Sequence, residues 1–145
     1  MILARVLSKI YKEDGIILID SKGQKYVCGN PRSEKPITLK LLRGLEHGCA
    51  GCISAVTNVT HSLARKVFDD FENKTPQTKN EQLIRVRETF DSYNLISAMH
   101  SYHSINDENY KNILPPLTLL SEEKQKELIE KLNKLKFNNE KNLAA

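Results

Sequence analysis

The chain has 145 residues, a formal net charge of +4, 39% hydrophobic and 28% charged residues, and no tryptophan. That length supports one ordinary domain or two very small ones with a modest core. No apolar run approaches the ~18 residues of a spanning helix. Met1–Leu7 is too short, and too soon interrupted by Arg5, for a secretion signal, so a cytoplasmic location is expected.

The charge is unevenly placed. Residues 1–48 hold nine Lys/Arg against five Asp/Glu, and residues 49–145 hold 13 of each sign. A mild excess of this kind fits a solvated surface; an acidic lipid surface or nucleic acid is the sharper reading. The expected partners include no nucleic acid, and at most a weak membrane-surface contact through residues 1–42.

The predicted elements begin with a helix over Ile2–Lys12. Leu3, Val6, Leu7 and Ile10 recur at helical spacing, with Arg5, Lys9 and Lys12 on the other side. Asp14-Gly15 stops it. The β-branched run Ile16–Ile19, the turn cluster Asp20–Gly23 and then Lys25–Cys28 read as a hairpin. Gly29-Asn30-Pro31 ends it, and the alternating Ile37–Leu41 reads as a third strand. Gly51–Val56, small and β-branched, reads as a buried strand.

Helices dominate the rest. Thr60 is the expected N-cap of a helix with the apolar face Leu63, Ala64, Val67, Phe68 and Phe71. Asn73–Lys79 is a polar loop. A long helix then carries Leu83, Val86, Phe90 and Tyr93 on one stripe, and Leu95, Ile96 and Met99 begin another patch. Leu114-Pro115-Pro116-Leu117 is incompatible with a helix interior. Ser121 caps a last helix with Glu122 and Glu123 at its positive end and Leu128, Ile129, Leu132 and Leu135 as its buried stripe.

One stretch holds candidate chemistry: His47-Gly48-Cys49-Ala50-Gly51-Cys52. A structural zinc site needs four ligands. Only Cys28, His47 and His61 are available to join Cys49 and Cys52, and a second tight pair is missing. A thioredoxin-type pair needs its first cysteine at a helix N-terminus, whereas this pair runs into a strand. Cytosolic chains also rarely carry structural disulfides. The small residues are better read as the start of a closely packed strand. His100-x-x-His103 reads as a surface pair. Ser54 and Ser62 lack a nucleophile elbow, and no glycine-rich phosphate loop occurs. No metal and no cofactor is expected.

Two resemblances organise the rest. Gly51-Cys52-Ile53-Ser54-Ala55, Thr57-Asn58-Val59, Leu114-Pro115-Pro116-Leu117 and Leu120-Ser121 make residues 42–136 similar to the C-terminal part of the dihydrodipicolinate synthase / N-acetylneuraminate lyase family. That family consists of class I aldolases on a (β/α)8 barrel of about 250 residues. The resemblance implies that the first of these segments matches strand seven and its following turn. It also implies that Ile53 matches the residue whose backbone lines the pyruvate pocket, with Gly51 beside it. The family's Schiff-base lysine, tyrosine relay and carboxylate-binding hydroxyl pair belong to upstream segments that are absent here. Lys25 and Lys40, the strand lysines, alternate with apolar neighbours in the other region. The family usually shows prolines around Ile96–His100, and a lysine where His100 stands.

Residues 1–42 are similar to the N-terminal module of cyclopropane-fatty-acid synthase-like methyltransferases, through Ala4–Leu7, Gly15–Asp20, Gly23 and Ile37–Leu41. That family's cofactor loop would lie downstream and is missing.

The expected fold is therefore α+β, mainly α-helical. A helix and a small three-strand unit fill residues 1–42, the last strand and helices of an incomplete barrel fill 43–137, and 138–145 form a disordered tail. The expected function is that of an aldolase-family remnant without lyase activity of its own. The alternatives are a small membrane-surface or interaction module, and a lyase fragment completed by another chain. Expected partners are a second copy or a complementing barrel fragment, with pyruvate or another 2-keto acid only by resemblance. An orphaned strand over Cys52–Val56 should either leave the helices to collapse on one another or pair with the hairpin. The first outcome is expected to dominate, with the hairpin loosely attached.

Overall fold

The structure is a computed structural model that describes residues 16–19, 23, 25–28, 41–46 and 48–137. Its elements are β1 (Ile16–Ile19), β2 (Lys25–Cys28), α1 (Leu41–Glu46), β3 (Cys49–Cys52), α2 (Thr57–Glu72), α3 (Asn80–Asp91), α4 (Leu95–His103), a 3-10 turn at Glu108–Lys111 and α5 (Glu122–Lys134). The fold is mixed and mostly helical. The expected helix over residues 2–12 and the tail over 138–145 lie outside the described residues. The chain divides into two compact units, Met1–Ile84 and Arg85–Ala145, with the division inside α3.

In the first unit, β1 and β2 form the expected antiparallel hairpin, with Ile16 opposite Cys28 and Ile19 opposite Lys25. β3 then adds to β2 in parallel, giving the strand order β1-β2-β3. Lys25 lies opposite Cys49 and Val27 opposite Cys52, so β3 carries one extra residue between the two pairs, a bulge. This corrects the expectation of an orphaned strand beside a loose hairpin. An unpaired buried backbone group costs about 1–3 kcal/mol, and the edge of β2 supplies partners for β3.

Two further expectations fail here, and a third falls largely outside the described residues. Of the third strand expected over Ile37–Leu41, residues 37–40 lie outside the described residues, and Leu41 opens α1. The strand of the Gly51–Val56 segment sits earlier, at Cys49–Cys52, because Ser54 and Ala55 turn the chain, their carbonyls accepting the backbone N–H of Thr57 and Asn58 at 3.1 Å each. Thr60 is not an N-cap. The helix begins at Thr57, and Thr60 sits at a kink (φ −116°, ψ 17°) with its Oγ1 donating to the Val56 carbonyl at 3.0 Å. Thr60 thus lies inside the helix, with its hydroxyl turned back to the preceding turn, and the helix starts without a side-chain cap.

Gly48 joins α1 to β3. Its φ is +79° and its N–H donates to the Leu45 carbonyl at 2.9 Å, which closes α1. Most L-residues avoid that backbone region, so the glycine of the His47–Cys52 stretch answers a turn. The core of this unit is Leu41, Leu45, Val67 and Leu83, surrounded by Leu42, Cys52, Leu63, Ala64, Phe68 and Phe71. Full burial of each leucine or valine contributes about 1.5–3 kcal/mol.

The second unit is helical among the described residues. Val86 and Phe90 of α3 are fully buried, as the stripe predicted, while Tyr93 is half-buried beyond the helix end. Asn94 breaks the path and restarts it: its Oδ1 accepts the Ser97 N–H at 3.1 Å, capping α4. α4 buries Ser97, Ala98 and Ser101, small residues that let α5 pack against it through Leu128 and Leu132. Ser121 caps α5 as expected, its Oγ accepting the Lys124 N–H at 3.4 Å. The Phe90 and Tyr102 rings meet edge to face with centroids 5.7 Å apart, and Phe137 stacks on Tyr102 at 5.9 Å. Leu114-Pro115-Pro116-Leu117 is a turn outside any helix.

Candidate functional site

Gly51 lies in β3 and is half-buried, and Ile53 follows the strand with 61% of its surface exposed. The two resemblance-derived site residues thus stand at the C-terminal end of β3, where the chain turns into α2. The turn is tied by its own side chains. Thr57 Oγ1 donates to the Ser54 carbonyl, and Asn58 Nδ2 donates to the Ala55 carbonyl at 2.9 Å. The Ser54 and Ala55 carbonyls are therefore occupied internally.

Cys49 is buried and Cys52 half-buried, both as thiols. Burial pushes the Cys52 thiol up from its ordinary value, which keeps it protonated near neutrality and makes it a poor nucleophile and ligand. Three steps of strand rise span about 10 Å, more than the ~7 Å between α-carbons that a disulfide tolerates. Cys52 packs against the core cluster instead. His61 is exposed on α2, and His47 lies outside the described residues. Among the described residues no group of three or more His, Cys, Asp or Glu comes together to hold a metal ion.

His100 and His103 do meet one partner. The His100 Nδ1 lies 3.0 Å from the Tyr110 carbonyl, and the His103 ring stacks on the Tyr110 ring with centroids 4.6 Å apart. The pair clamps the 3-10 turn onto the end of α4. With Nδ1 facing a carbonyl, it is the protonated nitrogen of His100.

A groove of about 670 Å³ lies wholly within the second unit, where α4 and α5 begin. Tyr93, Ser97, Thr118, Lys124, Glu127 and Lys131 contribute to its walls. Lys131 Nζ lies 2.7 Å from Glu127 Oε1, donates to the Tyr93 hydroxyl at 3.3 Å and sits 5.1 Å from the centre of the Tyr93 ring. The Lys131 hydrogen bond holds the Glu127 carboxyl below its usual range, and Glu127 in turn raises the Lys131 ammonium. The cation is thus compensated inside the groove. Ser92 Oγ gives its proton to the Thr89 carbonyl at 2.7 Å. Nothing in the groove pairs a nucleophile with a base, so it offers hydrogen bonds rather than covalent chemistry.

Sequence reasoning missed two buried polar centres. Asp70, 2% exposed, receives Lys66 Nζ at 2.7 Å, Thr75 Oγ1 at 3.2 Å, the Thr78 N–H at 3.1 Å and Thr78 Oγ1 at 2.9 Å. The Lys66 hydrogen bond, helped by the Thr78 N–H, holds its carboxyl down at about 2. The signal was an aspartate three residues after Val67 on the inward face, ahead of a loop with two threonines. The second centre is Ser101, whose Oγ accepts the Leu120 N–H at 2.9 Å and whose carbonyl accepts Gln125 Nε2 at 2.6 Å. Tyr102 is buried beside it, its hydroxyl meets no partner, and burial pushes its phenol up to about 12.

No protein-family model, no curated protein and no solved structure matches the chain. No helix among the described residues is long and apolar enough to cross a membrane.

Proposed function

We propose that the chain is a cytoplasmic remnant of a pyruvate-dependent class I aldolase, related to the dihydrodipicolinate synthase / N-acetylneuraminate lyase family and without lyase activity of its own. One observation carries this reading: Gly51–Ala55, Thr57–Val59, Leu114–Leu117 and Leu120-Ser121 fall in the family's order, around a strand, helices and a closing helix. The loss of activity follows from the chemistry. An imine-forming aldolase needs a lysine amine beside the bound 2-keto acid. The family's lysine belongs to a strand upstream of the segment that the resemblance covers, so Ile53 and Gly51 mark a vestigial pocket without its nucleophile.

One lysine keeps the proposal open to refutation. Lys25 begins β2, the parallel neighbour of β3, and pairs in register with Cys49. Borohydride trapping of the purified chain with pyruvate, followed by intact-mass and peptide analysis, is expected to give no adduct. A stable pyruvate adduct on Lys25, or on any other lysine, overturns the remnant reading.

A further inference from the structure

We draw no further inference here: the strongest candidate, the groove of about 670 Å³ where α4 and α5 begin, rests on two helix N-termini already capped by Asn94 and Ser121 and on a Lys131 already paired with Glu127 and Tyr93, and no bound group or unpartnered buried side chain in it points to a ligand.

Discussion

Each of the two compact units is stabilised internally by a different kind of contact. In the second, α4 and α5 start at side-chain caps a few residues away in sequence, and their buried residues recur at helical spacing. In the first, α2 starts without a side-chain cap and bends at Thr60, and β3 finds its partner in a strand more than 20 residues earlier. Local signals specify the helical unit; contacts distant in sequence specify the sheet-bearing one. Distant contacts must overcome loop-closure entropy before they contribute.

The largest expected effect tests the helical unit. Phe90→Ala removes a fully buried ring and its edge-to-face contact with Tyr102, and should destabilise the chain by about 3–5 kcal/mol. Chemical denaturation read by far-ultraviolet circular dichroism measures it. A loss below about 1 kcal/mol would show that Phe90 is not the centre of that core.

The next effect separates packing from polar closure in the same unit. Ser101→Ala keeps the small volume α5 needs but takes the acceptor from the Leu120 N–H. A half-buried donor left without its partner should cost about 1–3 kcal/mol. The Leu120 amide should also exchange with solvent faster, which hydrogen exchange by NMR detects.

Asp70 is the corresponding test in the first unit. Its folded pKa of about 2 lies below the ordinary 3.8, so the folded state favours the charged carboxylate. The stabilisation is complete above the ordinary value and is lost as pH falls through that interval. Asp70→Asn should lower Tm by about 5 °C at neutral pH. The wild-type chain should lose more stability than the variant between about pH 4 and pH 2. Parallel acid-limb Tm curves for the two proteins would remove Asp70 from its role.

Much of the helical unit was legible. The spacing of Val86 and Phe90, the Ser121 cap and the Leu128/Leu132 stripe are all short-range signals, and all appear where expected. The hairpin was legible for the same reason, since Ile16–Ile19 and Lys25–Cys28 flank a turn cluster. What failed depended on neighbours. Thr60 reads as a cap by residue type, but its hydroxyl donates backward to Val56. Leu41 reads as the end of an alternating strand, yet it opens a helix whose Leu41 and Leu45 join the core. The pairing of β3 with β2 has no signature in either segment. Of the candidate site, the sequence put Gly51 and Ile53 in a strand over Gly51–Val56, whereas the strand ends at Cys52 and Ile53 follows it; the groove formed by Tyr93, Lys124 and Lys131 arises only when α4 and α5 pack.

The smallest expected effect compares two caps within the helical unit. Asn94 holds the Ser97 N–H at 3.1 Å, and Ser121 holds the Lys124 N–H at a longer 3.4 Å. Asn94→Ala should cost about 1 kcal/mol and Ser121→Ala about half of that. Equal losses in urea titrations would show that cap distance does not rank the two helices.

The Asp70 carboxylate has a consequence for how this sequence tolerates drift. The loop from Asn73 to Lys79 has little apolar packing, and Asn73, Lys74 and Lys79 are exposed. One buried side chain gathers Lys66, Thr75 and Thr78 and so fixes the path from α2 to α3. Substitutions at Lys74 and Lys79, which do not reach Asp70, are therefore expected to be nearly silent, while a single change at residue 70 reaches both helices. Robustness here is distributed unevenly: the loop letters that do not touch the carboxylate can wander, while Thr75, Thr78 and above all Asp70 cannot.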